Sequence, residues 1–557
     1  MKRKDTQLTP AEVVARYGAL YAERSDINGT YERIAQFVVP NHGRFWQTMN
    51  DNELAVQWRH RYLYDSTAIH VSQNLAANIH GSLTNPSVRW FTLRYKQDWL
   101  NEDVEAMRWI EVAQEALWYS IQESNFSLEA NEFYLDLVTF GTAVMAHEST
   151  PEGEFKFKTY MVRGVYFEDD FDGKPVGVYR QKQYTAAQLC REFPESCPPD
   201  IMEQGLSATN AGTMHSVIHA IIKKPYADDI NPHLPLPPER RPIEERFILQ
   251  KGAIELTKEP RGYYEFPAYV CRWAKQAGSR FGYSPAMNVL SDIMTLNQLV
   301  ELILRSAEKV IDPPILVPDR GVFGDINLTP GGVTVCRDPK AMMPFESRAR
   351  FDVSQLQREE LQKTIQDAFF FNQLQLKESP EMSATEVNAR MSLMQRLLGP
   401  ALSRLESDFL DPLIKRGFNI LFRSDQLPPV PDVVMAAGGK VDVEYTGILA
   451  RGQQIEEVQS IDRMMMTLQN LIPIVPEIAD TINFDETFRV MARNLSVPAQ
   501  CIRTKEEVDQ MRQQRAEQEA QAMQMQQATE MAGALKDAGS ATKSFADAGG
   551  VSGELGM

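Results

Sequence analysis

At 557 residues the chain is long enough for two or more domains with substantial cores, and its 43% apolar and 24% charged residues describe an ordinary globular composition. Lys and Arg number 58 against 75 Asp and Glu, a net charge of −17. That balance argues against a protein that grips nucleic acid, because phosphate binding depends on cationic neutralisation, and it suits a surface past which DNA slides. No apolar run approaches the ~20 residues of a membrane span, and no apolar segment of signal-peptide type follows the basic start Met1-Lys-Arg-Lys. The cysteines (Cys190, Cys197, Cys271, Cys336, Cys501) show no CxxC spacing, which argues for a reducing compartment and against a disulfide scaffold or zinc ribbon.

In chain order, Thr9-Pro10-Ala11-Glu12 is a capping box with proline at the first helical position, opening a helix that carries Val13, Val14, Tyr17, Leu20 and Tyr21. A second helix is expected near Tyr31–Val39, ending at Pro40, and a third near Ser66–Leu83, closed by Thr84-Asn85-Pro86. Arg89–Leu93 reads as a short strand, and Glu102–Gln122 and Asn131–Leu137 as helices. From Gly141 the apolar period changes to two. Strands are expected at Thr142–Glu148, Glu154–Tyr160, Val165–Glu168 and Val176–Gln181, with a hairpin turn at Asp172-Gly173. A short helix at Thr185–Phe193 has Thr185 and Gln188 as its box, and strands resume at His215–Ile222, Phe247–Gln250 and Tyr269–Arg272. Pro232, Pro235, Pro237, Pro238 and Pro242 mark a loop between them.

The stretch from Phe281 to Phe422 organises the rest. Ser284 is an N-cap with Pro285 at the first helical position, and Ala286, Val289, Leu290, Ile293, Leu296, Val300, Ile303, Leu304, Ala307 and Val310 recur at helical spacing. Asp312-Pro313-Pro314 stops the helix, because a residue before proline is pushed out of the α region. A return helix is expected at Asp352–Phe371 with Asp352 as N-cap. Another starts at the capping box Ser383–Glu386 and runs past Ile420, with kinks at Pro400 and Pro412. Val441–Leu449 reads as a strand and Gln453–Arg493 as a helical module broken at Pro473 and Pro476. Lys505–Ala528 is a Gln/Met/Glu-rich helix, and the Gly/Ala/Ser-rich end from Gly533 reads as flexible. The fold class is therefore α+β, mainly helical.

No catalytic signature emerges. Gly438-Gly439-Lys440 lacks the spacing and hydroxyl of a phosphate loop. His215 and His219 fall on a strand pattern and read as ordinary histidines. Glu168-x-Asp170-x-Asp172-Gly173 has Tyr179 where a calcium loop needs glutamate, so it reads as an acidic hairpin tip. Neither a metal nor a cofactor is expected, and the chain is not expected to be an enzyme. The competing readings are an enzyme with sequence-distant catalytic residues, or a helical scaffold or adaptor.

A family resemblance runs in order from about residue 10 to 450. It is carried by Val14-Ala-Arg-Tyr, Ala22-Glu-Arg-Ser, Ile34-Ala-Gln-Phe-Val-Val-Pro, Asp65-Ser-Thr-Ala-Ile-His and Asn74-Leu-Ala-Ala-Asn-Ile-His-Gly-Ser-Leu-Thr-Asn-Pro-Ser. Further on it includes Trp90-Phe-Thr-Leu, Arg280-Phe-Gly-Tyr-Ser-Pro, Ile311-Asp-Pro-Pro-Ile-Leu-Val-Pro, Met382-Ser-Ala-Thr-Glu-Val, Leu398-Gly-Pro and Leu410-Asp-Pro-Leu. These segments resemble the head-to-tail connector, or portal, proteins of short-tailed bacteriophages.

The resemblance implies a ring of twelve subunits at one capsid vertex, assembled in the host cytoplasm, around a channel for double-stranded DNA. It implies a wing (1–280), stem helices (281–310 and 351–371), a clip (311–350) and a tunnel loop (372–382). A long wing helix with strands (383–450), a crown (451–503) and a barrel helix with a flexible tail (504–557) complete the architecture. Capsid and scaffolding proteins, the large terminase subunit and later the tail adaptor or nozzle proteins are the implied partners, with no membrane. In the tunnel loop, Lys377 is the cation among Gln373, Gln375 and Glu378, so that twelve copies make a positive ring. In the clip, Arg320, Arg337, Lys340, Arg348 and Arg350 stand against acidic residues including Asp319 and Asp325, a balance suited to docking by mixed ion pairs.

Overall fold

A computed structural model describes residues 8–41, 61–87, 89–101, 103–150, 152–225, 236–276, 278–312, 351–374, 398–436, 443–446, 448–471, 482–494 and 507–525, with short pieces at 315–316, 322–323, 335–336, 343–344, 503 and 531. The protein is α+β and mainly helical. It divides into two compact units. The larger comprises Met1–Lys96, Glu111–Pro429 and Val441–Arg451, and the smaller Gln97–Ile110, Val430–Lys440 and Gly452–Met557.

In the larger unit, α1 (Pro10–Phe37) opens on the expected capping box, with Thr9 Oγ1 accepting from the Glu12 N–H and Glu12 accepting from the Thr9 N–H. It runs 28 residues without a break, where two helices were expected. The reason is a buried stripe of Val13, Tyr17, Leu20, Arg24, Asn28, Tyr31 and Ile34 that continues through Gly29. Its burial outweighs the ~1 kcal/mol that an interior glycine costs a helix. α2 (Thr67–Leu83) follows, then β1 (Thr92–Tyr95), three residues later than expected, and α3 (Val104–Glu123). α4 (Phe126–Phe140) is longer than its expected core and ends at Gly141 in the left-handed region (φ 72°). Glycine is required there twice over, since a Cβ would meet the backbone of Gly282 and Tyr283 at under 3 Å.

The expected strands all form, mostly a residue or two longer. They are β2 (Thr142–Ser149), β3 (Phe155–Tyr160), β4 (Val165–Asp169) and β5 (Pro175–Thr185). Next come the short helices α5 (Ala186–Glu192) and α6 (Pro199–Leu206), then β6 (Met214–Lys223), β7 (Ile243–Leu249), β8 (Ile254–Glu255), β9 (Arg261–Tyr263) and β10 (Ala268–Arg272). They build two antiparallel sheets. One is ordered β10-β2-β3; the other is β4-β5-β6-β7-β8, with β9 also on β7. Alternation decides what covers the larger sheet. Ile218, Ala220 and Ile222 of β6 pack under Val13, Tyr17 and Leu20 of α1, whereas Val217 packs with Leu189 of α5 and Ile201 of α6. The acidic motif at Glu168–Gly173 is a hairpin tip, with Gly173 at φ 81°.

His219 is far from ordinary. It is buried, stacks on Phe247 at 4.4 Å, and lies 2.7 Å from Glu245 through Nε2. Arg180 donates to its Nδ1 from Nε (3.3 Å) and Nη2 (3.1 Å), so Nδ1 must be the bare acceptor and the ring is neutral. Burial, with Arg180 and Lys182 facing the ring, pulls its pKa down to about 4. The unfolded chain takes up this proton below about pH 6.5 while the folded one does not. Stability is therefore expected to fall as pH drops from about 6.5 towards 4, by roughly 2 kcal/mol at pH 5 from this residue, with no effect above 6.5. Urea unfolding at pH 7 and pH 5 should show the loss, and His219→Gln should reduce it; an unchanged difference would assign the acid sensitivity to other groups such as buried His147.

Within the smaller unit, Asp432–Ala436 and Phe484–Asn494 are helical, as is 507–525. Arg512 makes a bidentate ion pair with Asp485. The strand Val443–Thr446 belongs to the larger unit, where it pairs with β1, and the chain is already helical (Ile448–Leu471) before the expected strand end at Leu449. The Gly-rich end lies outside the described residues, as does the break expected at Pro473 and Pro476.

Candidate functional site

The helical stretch after Tyr283 starts at a buried serine. Ser284 Oγ accepts from the Met287 N–H (3.1 Å), as an N-cap does, and donates to the Thr139 carbonyl (2.6 Å) at the end of α4. One hydroxyl thus caps the helix that begins at Pro285 and fastens it to the end of α4. The single helix expected from Pro285 to Val310 is divided. Val289 leaves the helical region (φ −113°, ψ 17°), dividing a four-residue α7 (Pro285–Asn288) from the 22-residue α8 (Leu290–Ile311).

The two halves of α8 differ in kind. In the first, Leu290, Ile293, Leu296 and Val300 are buried. Asn297 interrupts that stripe and acts as a clasp, accepting from the Tyr64 (2.7 Å) and Asp65 (3.3 Å) N–H groups and donating to the Tyr62 carbonyl (3.1 Å). In the second half no residue is buried although the apolar positions continue: Leu302 is 53%, Leu304 49%, Val310 50% and Ile311 83% exposed. The return helix α9 (Phe351–Ala368) begins one residue before the expected N-cap Asp352. Among its described side chains it buries only Ile365 near its end, followed by Phe369, while Leu356 is exposed; Gln362 reaches back to Asp65 and Thr67. Charge on the pair is slightly acidic. α8 carries Asp292, Glu301 and Glu308 against Arg305 and Lys309, and α9 carries Asp352, Glu359, Glu360 and Asp367 against Arg358 and Lys363.

Between α8 and α9, Ile315–Leu316 pairs with Met343–Pro344 outside an inner ladder of Val322–Phe323 with Val335–Cys336, two nested rungs. Of the expected clip residues, Asp319, Arg320, Asp325, Arg337, Lys340, Arg348 and Arg350 lie outside the described residues. So do Gln375, Lys377 and Glu378 of the expected tunnel loop and the capping box at Ser383–Glu386. Gln373 is described, and it corrects the boundary. After a break at Phe370 (φ 57°) the chain makes one more helical turn, Phe371–Leu374, so that Asn372 and Gln373 are helical and exposed.

Beyond residue 398 the chain is helical, passes through a π turn at Glu406–Leu410 and continues as Asp411–Arg423, with Pro412 in its first turn. The expected kink at Pro412 is thus the end of a π turn. Arg416 is buried against the three-stranded sheet, donating to the carbonyls of His147 (3.3 Å) and Glu265 (2.9 Å), and Arg423 holds the Glu265 carboxylate in a two-pronged pair (2.6 and 2.8 Å). Neither arginine, nor Asn297, was singled out from sequence; a polar residue interrupting an apolar stripe is the signal that marks Asn297.

Among the described residues there is no group of three metal-ligating side chains, and no helix long and apolar enough to cross a membrane. The arrangement offers a helix, α8, fastened in its first half and carrying exposed apolar side chains in its second. A family model for the bacteriophage head to tail connecting protein matches residues 11–502. This chain belongs to that family. The connector is 28% identical over 538 residues to the probable portal protein of Bordetella phage BPP-1, with 92% of each chain covered. It is 22% identical over 525 residues to the portal protein of Salmonella phage epsilon15, with 91% of each covered. A chain of the virion of a native gene transfer agent particle matches 70% of the connector and 89% of its own length, at 10% identity and a TM-score of 0.32. The resemblance read from sequence and the family found by comparison agree. The connector is a part of the phage head–tail connection, and its relatives bear the names of structural rather than catalytic proteins.

Proposed function

We propose that this connector is the portal subunit of a phage virion, that twelve copies close into a ring at one capsid vertex, and that the channel passes double-stranded DNA. The observation that carries the proposal is the outer half of α8, where Leu302, Leu304, Val310 and Ile311 lie open, Leu304 and Ile311 (i, i+7) on one side of the helix and Leu302 on the opposite side, with Val310 between. Apolar side chains open on opposite sides of one helix fit a neighbour on each side, and a heterologous contact between identical subunits closes into a ring. Along the first half of α8, a groove of about 730 Å³ with a mixed lining, Phe37, Tyr62 and Met294 beside Arg33, Gln36 and Glu301, offers a further surface to that neighbour. The acidic excess on both stem helices favours passage of DNA over its retention.

In this reading the segment from 311 to 350 is the clip, which docks the terminase motor during packaging and tail proteins afterwards. Capsid and scaffolding proteins surround the ring. Purified protein should migrate at about twelve times the 63.2 kDa chain mass, with rings visible by negative-stain microscopy. Monomer or dimer alone across a wide concentration range would refute the ring; eleven or thirteen subunits would leave it standing, since neighbouring numbers close equally well.

The reading also assigns residues 372–382 to the channel wall, with Lys377 as its cation. Lys377→Ala is expected to leave assembly intact and to alter DNA retention or translocation. The difference from wild type should shrink as salt rises, because a cation–phosphate contact is screened. Failed assembly with normal DNA handling in the rings that do form would move this stretch to a subunit interface.

A further inference from the structure

Cys190 lies in the last turn of α5, and Cys197 in the turn that leads to Pro198 and α6. Their sulfurs are 3.5 Å apart, in van der Waals contact. Cys197 is buried with Leu189, Phe193, Ile201, Val217 and Phe247, while Cys190 is half-buried and open to small reagents. The turn between them is held by the Ser196 (3.2 Å) and Cys197 (3.0 Å) N–H groups, both donating to the Phe193 carbonyl. The α6 backbone approaches the Cys190 sulfur so closely only because residue 205 is glycine; a Cβ there would stand 2.7 Å from it. Two thiols are thus held face to face, one accessible and one shielded.

We propose that Cys190 and Cys197 form an intramolecular disulfide on meeting a low-molecular-weight disulfide such as oxidised glutathione, and that this bond clamps α5 to α6. In the first step the Cys190 thiolate attacks a glutathione sulfur, the glutathione S–S bond breaks, and the departing thiolate takes the proton that Cys190 lost. In the second, the Cys197 thiolate attacks the Cys190 sulfur and expels the other glutathione, which takes the Cys197 proton. Two protein thiols are oxidised and one glutathione disulfide is reduced to two thiols. A disulfide needs about 2 Å between sulfurs, so the pair must close by roughly 1.5 Å, within the reach of side-chain rotation and a small backbone adjustment. Burial pushes the Cys197 thiol up to about 11, so the second step is the slower one and quickens with rising pH. The chemistry does not depend on the portal reading. Only its timing would, since a virion passes from a reducing cell to an oxidising medium.

The full-length protein, equilibrated with oxidised glutathione at pH 8.5, provides the test. Trypsin cuts after Arg191, between the two cysteines, so the bond joins peptide Gln183–Arg191 to peptide Glu192–Lys223. The expected result is this linked pair, released by dithiothreitol, together with amide exchange about tenfold slower across residues 186–206 in the oxidised protein. Cys197→Ser should instead stop at a stable glutathione adduct on Cys190. Wild-type protein that keeps both thiols, or that stops at the adduct, overturns the proposal. Linked peptides with unchanged exchange overturn the clamp.

Discussion

Leu302→Glu combined with Ile311→Glu is expected to abolish the ring and leave a folded monomer. Both side chains lie mostly open in the single subunit, so the exchange removes little internal packing and the circular dichroism spectrum should not change. In an assembled ring these positions would be covered by the adjacent stem. Each interface would then have to bury two carboxylates without designed partners, a cost of roughly 2 kcal/mol or more apiece. Some 4 kcal/mol per interface is about a thousandfold in subunit affinity, and it is repeated at every contact around the ring. Size-exclusion chromatography with light scattering reads the result directly. Rings persisting at wild-type concentrations would mean that the assembly interface lies elsewhere and that the exposed leucines face the channel or solvent.

The second large effect is expected inside the subunit. Arg24 is 1% exposed on α1, with no acidic side chain among its hydrogen-bond partners. Its guanidinium donates instead to the carbonyls of Val162 (2.6 Å), Val165 (2.9 Å) and Arg163 and to the Tyr166 hydroxyl (2.6 Å), and it lies 3.9 Å from the centre of the Tyr166 ring. Those carbonyls belong to the turn that leads into β4, so the arginine ties α1 to the start of the larger sheet. Arg24→Met keeps an unbranched apolar stem but removes the guanidinium and with it every donor. Several buried acceptors are then left unpaired at about 1–3 kcal/mol each, and a total loss of about 3–5 kcal/mol is expected. The midpoint of urea unfolding should fall accordingly, with protection lost first across α1 and β4 in hydrogen exchange. A loss under 1 kcal/mol would show that water replaces the guanidinium at this turn.

These two sites separate what is local in this chain from what is not. Caps are local: Thr9 with Glu12, Thr185 with Gln188, and Ser284 on the Met287 N–H each satisfy N–H groups within three residues, and all three stand where the sequence places them. The alternation of β2 to β7 is local too, because each face repeats every second residue. The family was also legible, since its short segments fall in one order across the chain. Which helix covers which face of the larger sheet was not. The continuity of α1 was hidden because Arg24 and Asn28 interrupt its apolar stripe, and only the carbonyls of residues 162–165, far along the chain, make burial of Arg24 favourable. Asn297 likewise reads as a break in a stripe until residues 62–65 arrive beside it. Cys190 and Cys197 look scattered in sequence, and a helix–turn–helix brings their sulfurs into contact. The sequence by itself determines caps, periods and kinship, because those depend on neighbours a few residues away. The tertiary structure alone decides the fate of the buried polar groups, because their partners come from distant segments and a polar atom is stable in the core only where such a partner meets it.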